Sequence, residues 1–313
     1  MSSTTVPESW TPVRGITRLA WGVLFYNIFV IVWGAMVRAT GSGAGCGDHW
    51  PLCNGQVLPV LPQMHTLIEF THRLTSGLAL LFVILLYLGV RRQFAPGHLA
   101  RWAGFWTLVL MLNETLIGAV LVLLRLVAES RSPWRGVVLS IHLVNTMLLL
   151  GGLTLTAWWS MQEQPRWQPS PEVRRLARLG VAAMLIVSAA GGIAALGDTL
   201  FPPDSLRQGI EQEFGKDAPL LVRLRVLHPL LAVLTGGFLF WLASRFPQMP
   251  LANAILGLTL AQFLLGGLNI ILLTPVWTQL AHLLLTDLLW VSLVIFLAAL
   301  GSGNKSESAN VYS

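Results

Sequence analysis

Eight apolar segments, each near the length a helix needs to cross a bilayer, restrict this chain more than any other feature. They fall at roughly 18–37, 67–90, 102–124, 134–159, 177–197, 221–244, 252–274 and 277–300. Crossing the ~30 Å hydrocarbon core takes about 20 apolar residues at a rise of about 1.5 Å each. Backbone polar groups have no water to bond there, so each segment is expected to be a helix that satisfies its own hydrogen bonds. Charged residues are 11% of the chain and apolar residues 54%, against about 25% charged in an average soluble domain. The excess of Lys and Arg over acids is modest and scattered, without a polybasic run. It reads as membrane topology, and nucleic acid is excluded as a partner.

An even number of spans puts both termini on one side. The positive-inside rule places them in the cytoplasm, because Arg91, Arg92, Arg101, Arg166, Arg174, Arg175, Arg178 and Arg245 then lie in inner segments. The stretch Met1–Val13 carries one Glu and no Arg. That is unlike an organelle transit peptide, so a bacterial plasma membrane is expected. The proline-rich stretch from Met161 divides the chain into a first half (1–160), a linker (161–176) and a second half (177–313). Leu116-Ile-Gly-Ala-Val-Leu in the third span resembles Leu264-Leu-Gly-Gly-Leu-Asn in the seventh. His72 is answered by His228 and His142 by His282, each four spans on. The expected fold is therefore an all-α polytopic membrane protein, with eight transmembrane helices arranged as two pseudo-symmetric four-helix bundles.

The prolines measure depth. Pro62, Pro133, Pro219 and Pro275 each stand where a helix could begin. The following histidines come 10, 9, 9 and 7 residues later, about 10–15 Å below the outer ends of the even spans. A lone intramembrane histidine commonly hydrogen-bonds a neighbouring helix, but packing gives no reason for four at one depth. Zinc would want a tetrahedral cluster. Two imidazoles facing each other across a bundle suit a haem iron with an axial ligand on each side. Glycines in the spans, Gly34, Gly118, Gly191 and Gly266 among them, would let a macrocycle approach, although close helix packing also uses such residues. Arg38, Arg73, Arg125, Arg223 and Arg225 lie near the outer boundary, within reach of haem propionates or as snorkelling side chains.

The two sites differ. Glu69 lies one helical turn from His72, and aligning His72 with His228 sets Glu69 against Arg225. Thr66-x-x-Glu69 also reads as a capping box, in which Glu69 would only satisfy backbone N–H groups. Glu114 and Asp287 are further intramembrane acids without an evident partner. Cys46 and Cys53 are the only cysteines, and both lie in the first outer loop. An oxidising face would join them as a disulfide, while a metal site of Cys46, His49, Cys53 and His65 is the other reading.

Val37-Arg-Ala-Thr-Gly-Ser-Gly43, then Cys46 with Trp50-Pro-Leu-Cys53-Asn-Gly55, then Ile68-Glu-Phe-Thr-His-Arg73 resemble the haem A synthase family. The likeness extends through His142, His228 and His282. It implies oxidation of the C8 methyl of haem O to the formyl of haem A, for terminal oxidases. His72 and His142 would hold the substrate haem O, and His228 and His282 a permanent haem b cofactor. Glu69 matches the family's catalytic acid, and Cys46 with Cys53 its outer-loop redox pair. Some relatives carry a second cysteine pair, which residues 198–222 lack here. Expected partners are a haem O synthase delivering the substrate, an unidentified electron donor and other copies of the chain in a homo-oligomer. The rival reading is a di-haem b electron carrier such as a quinol-oxidising cytochrome b subunit, which would need two similar sites.

Overall fold

The computed structural model describes residues 14–302. The stretch Met1–Val13, which bears on the membrane expected, lies outside the described residues. Ten helices follow in order: α1 Arg14–Ala39, α2 Met64–Gln93, α3 Leu99–Leu123, α4 Pro133–Trp159, α5 Pro171–Leu200, α6 Leu206–Phe214, α7 Leu220–Arg223, α8 Leu227–Ser244, α9 Pro250–Ile271 and α10 Val276–Gly301. A 3-10 turn joins α7 to α8, so Leu220–Ser244 forms one span. Among the described residues, eight helical spans are long and apolar enough to cross a membrane. The protein is an all-helical, multi-pass membrane protein, and the described residues hold one isolated bridge, Cys53 with Gln56, and no named strand.

Several of the helix starts fall at or just after a proline, whose fixed φ and missing N–H suit the first turn. Pro133 and Pro171 open α4 and α5, and Pro219 and Pro275 are the residues before α7 and α10. The linker is shorter than its proline content suggests. Ser170 accepts a hydrogen bond from the Val173 N–H, so α5 starts at Pro171 and takes in Arg174 and Arg175. At the other end of the molecule α9 stops at Ile271, because Leu273 and Thr274 adopt left-handed backbone with φ of 58° and 55°. The amphipathic α6 occupies the loop between α5 and α7, where the sequence shows only its acids.

Helices α1 to α4 pack as a closed ring of neighbours, and α5, α8, α9 and α10 pack as a second. The rings meet along α1, α4, α5 and α10. There the buried Trp290 indole donates to the Met147 carbonyl at 2.7 Å. Gly151 leaves room for that ring, since a methyl at this position would stand 3.3 Å from it. Trp290 belongs to the same buried apolar core as Leu150, Leu153, Leu293 and Phe296, all at most 2% exposed. Nearer the end that carries the loop after α1, the Arg38 guanidinium reaches across to the second ring. It donates to the Ala195 carbonyl, to Thr199 Oγ1 and to Gln279 Oε1, each at 2.8 Å.

Candidate functional site

Each of the four histidines lies against a glycine of the preceding span. A Cβ added at Gly34 would stand 2.9 Å from His72, at Gly118 3.9 Å from His142, at Gly191 2.9 Å from His228 and at Gly266 3.2 Å from His282. The two rings therefore place matching residues at matching contacts, four spans apart. The His228 and His282 rings are 6.2 Å apart between centroids and nearly perpendicular. His72 and His142 lie within electrostatic reach of each other in the first ring. The Nδ1 atoms of His72, His142 and His282 are buried without a hydrogen-bond partner, whereas Nδ1 of His228 lies 3.2 Å from the Val187 carbonyl. Buried imidazole nitrogens normally find partners, and among the described residues these three have none.

Glu69 is 3% exposed, and its carboxylate turns toward the loop after α1. One oxygen accepts the Cys46 backbone N–H at 2.7 Å, and the other accepts Arg73 Nη2 at 2.5 Å and Nε at 3.1 Å. Arg73 in turn donates to the carbonyls of His49 at 2.5 Å and Leu52 at 2.6 Å. The capping reading of Glu69 is overturned. Helix α2 starts earlier, at Met64, with Gln63 as its N-cap and no side-chain cap bond, and the Thr66 hydroxyl donates to the Gly45 carbonyl at 2.8 Å. Gly45 is required here, because any Cβ would collide with the backbone of His65. The loop is closed by a Cys46–Cys53 disulfide, with both cysteines buried. That bond takes up both sulfurs, so the alternative metal site has lost its thiolates.

Glu114, unexplained from the sequence, gains a place. Its Oε1 lies 3.6 Å from His142 Nε2 and accepts the Thr146 hydroxyl, and its Oε2 accepts Asn145 Nδ2 at 2.6 Å. Asp287 is 1% exposed, and neither carboxylate oxygen has a partner among the described residues. In the second ring Arg225 stands at the position of Glu69. It pairs with Asp198 at 2.9 Å and lies 3.9 Å from Glu213. The arginines near this boundary are engaged by the protein: Arg125 pairs with Asp48, and Arg223 donates to the Lys216 carbonyl. Arg125 holds the exposed Asp48 carboxyl below the usual carboxylate range.

The second-ring histidines are spaced to hold an iron between them. Metal–imidazole bonds run about 2.0–2.1 Å, so rings 6.2 Å apart leave room for one iron between a nitrogen of each, the ring radii making up the rest. The facing glycines keep the helices close without filling that space. The sequence profile of the COX15-CtaA family, described as cytochrome oxidase assembly protein, matches residues 17–294. The chain belongs to this family. The haem A synthase of Alkalihalophilus pseudofirmus is 30% identical over 148 residues, covering 47% of each chain. That of Geobacillus kaustophilus is 40% identical over 111 residues, 35% of this chain and 34% of the relative. A protoheme IX farnesyltransferase of Thermus thermophilus is 45% identical over 307 residues, 95% of this chain but 50% of the relative. The chain thus spans about half the length of the Thermus relatives it matches. The segment from Arg38 to Arg73, where the sequence resemblance is most specific, forms the disulfide loop and the first turns of α2.

Proposed function

We propose that this protein is a haem A synthase, which oxidises the C8 methyl group of haem O to a formyl group. One observation carries the reading: two sets of glycine-faced histidines occupy corresponding positions, and where the first set has Glu69 and Glu114 the second has Arg225 and Gln262. Two permanent haems of one kind would need no such difference. In this proposal His72 and His142 hold substrate haem O, and His228 and His282 hold haem b. When bound, haem b supplies one-electron transfer. Glu69 is fixed by the Cys46 N–H and the Arg73 fork, so its charge is oriented before substrate arrives. A preorganised carboxylate stabilises positive charge that develops at a carbon beside the porphyrin, or takes up its proton. In the second ring the corresponding position holds Arg225 in place of a carboxylate, as suits a site that only passes electrons.

The Thermus relatives bear on the substrate's origin. This chain covers half of proteins named protoheme IX farnesyltransferase, and we assign the farnesyl transfer to the half it does not cover. Farnesylation of haem b makes haem O, and we propose that the protein acts directly after that step, as a partner of a separate haem O synthase. We place it in a bacterial inner membrane with both termini cytoplasmic, drawing electrons from a donor of its own. The test is to produce the chain in cells that make haem O but no haem A, extract the haems and weigh them. Haem A is expected. Haem b alone, with haem O untouched, would return the protein to the di-haem electron carriers.

A further inference from the structure

Glu114 and its neighbours repeat in the second ring with one change. Glu114 precedes Gly118 by four residues, and Gln262 precedes Gly266 by four. Thr146 follows His142 by four, and Thr286 follows His282 by four. Both hydroxyls donate to the backbone carbonyl of their histidine at 2.9 Å. Thr146 also bonds Glu114, and Thr286 also bonds Gln262. The scaffold is thus the same in both rings: a side chain of the preceding span tied to the helical turn that carries the histidine. The difference is the charge, which is negative beside His142 and absent beside His282.

Helix packing alone does not account for that charge. A glutamine at 114 could accept from Asn145 through its oxygen and donate to Thr146 through its amide, as Gln262 does with Thr286. Every hydrogen bond of the cluster would survive. Within a membrane-spanning segment a carboxylate costs far more desolvation than an amide, so its presence calls for a role that the amide cannot fill. Its Oε1 stands 3.6 Å from an imidazole nitrogen. A carboxylate partner orients a metal-ligating histidine and makes it a stronger electron donor.

Resting on the haem reading above, we propose that Glu114 is a positioning residue for His142, held by Thr146 and Asn145, and that its charge makes the first-ring haem the more electron-rich of the two. A negative charge near the iron favours the oxidised form, so the first-ring haem should have the lower midpoint potential.

The experiment is potentiometric titration of the purified protein, loaded in cells that make haem O, with His282→Leu used to identify the second-ring signal. Glu114→Gln should raise the midpoint potential of the first-ring haem and leave the other in place. Gln262→Glu should lower the second-ring potential, and Glu114→Asp should restore most of the wild-type value. Unchanged potentials in Glu114→Gln and Gln262→Glu, with both haems bound, would overturn the proposal and leave Glu114 as a packing residue. Absence of any histidine-ligated haem from the wild-type protein would instead remove the haem reading and this inference with it.

Discussion

At the scale of single residues, Glu69 joins the histidine helix to the disulfide loop, and its charge can be tested apart from its bonds. Glu69→Gln keeps an oxygen for the Cys46 N–H but loses the ion pair with Arg73. We expect the variant to assemble and keep its haem b while forming haem A about a hundredfold more slowly, the usual loss for one transition-state charge partner. Haem A at the wild-type level in extracted membranes would limit Glu69 to holding the loop. The sequence showed Glu69 and His72 on one helical face, but not that the carboxylate would turn outward to Cys46, because that partner comes from a loop 23 residues away. Glu114 was legible only in part. Its spacing from Gly118, matched by Gln262 and Gly266, was available, but intramembrane acids have many ways to find partners and spacing does not choose among them. His98 was not singled out at all. It caps α3, accepting from the Ala100 N–H, and lies 3.1 Å from the Gln162 carbonyl through its other nitrogen. Burial lowers its pKa despite the carbonyls of Gln162 and Glu163. The folded state therefore favours neutral His98, so its contribution to stability is present above the ordinary value of 6.5 and is lost as pH falls below it. Thermal unfolding should show a fall below that pH that His98→Asn, a cap that does not titrate, makes shallower. Parallel pH profiles for the two proteins would refute this.

At the scale of elements, the spans were legible because bilayer thickness fixes their length and proline marks their starts. What failed was local. Helix α5 continues into a basic, proline-flanked stretch because Ser170 caps it, and a serine between two prolines reads equally well as linker. Helix α6 was missed because nine residues with Leu206, Ile210 and Phe214 on one face are too short to register against the neighbouring spans. Contacts between elements give a cleaner experiment than boundaries. Gly191 and Gly237 both sit inside helices, but a methyl at Gly191 would press on the His228 imidazole, while one at Gly237 meets nothing within 4 Å. Gly191→Ala should therefore shift or abolish the low-spin haem spectrum of the second ring. Gly237→Ala should leave the spectrum intact and the helix more stable by about 0.5–1 kcal/mol, the usual gain from replacing a helical glycine. Equal spectra from the two variants would mean that the glycines facing the histidines serve packing alone.

At the scale of the whole molecule, the question is what holds two rings together in a solvent that offers no hydrophobic drive between helices. Packing around Trp290 supplies one part and Arg38 another. From the sequence Arg38 was a candidate for a haem propionate, because a boundary arginine after a helix suits either role. Its three bonds to α5 and α10 instead make it a clamp across the ring interface. The two roles predict different results for Arg38→Lys. A propionate partner keeps its charge in this variant, and the haem-free protein should hardly notice the change. A clamp loses its planar fork, and one ammonium cannot reach three acceptors on two helices with the same geometry. Protein prepared from haem-deficient cells should then be destabilised by about 1.5–3 kcal/mol, the worth of one hydrogen bond to a charged group. The measurement is thermal unfolding of both proteins in the same detergent, each without haem. Equal stability there, together with weaker haem retention by Arg38→Lys, would move Arg38 from the interface between the rings to the ligand.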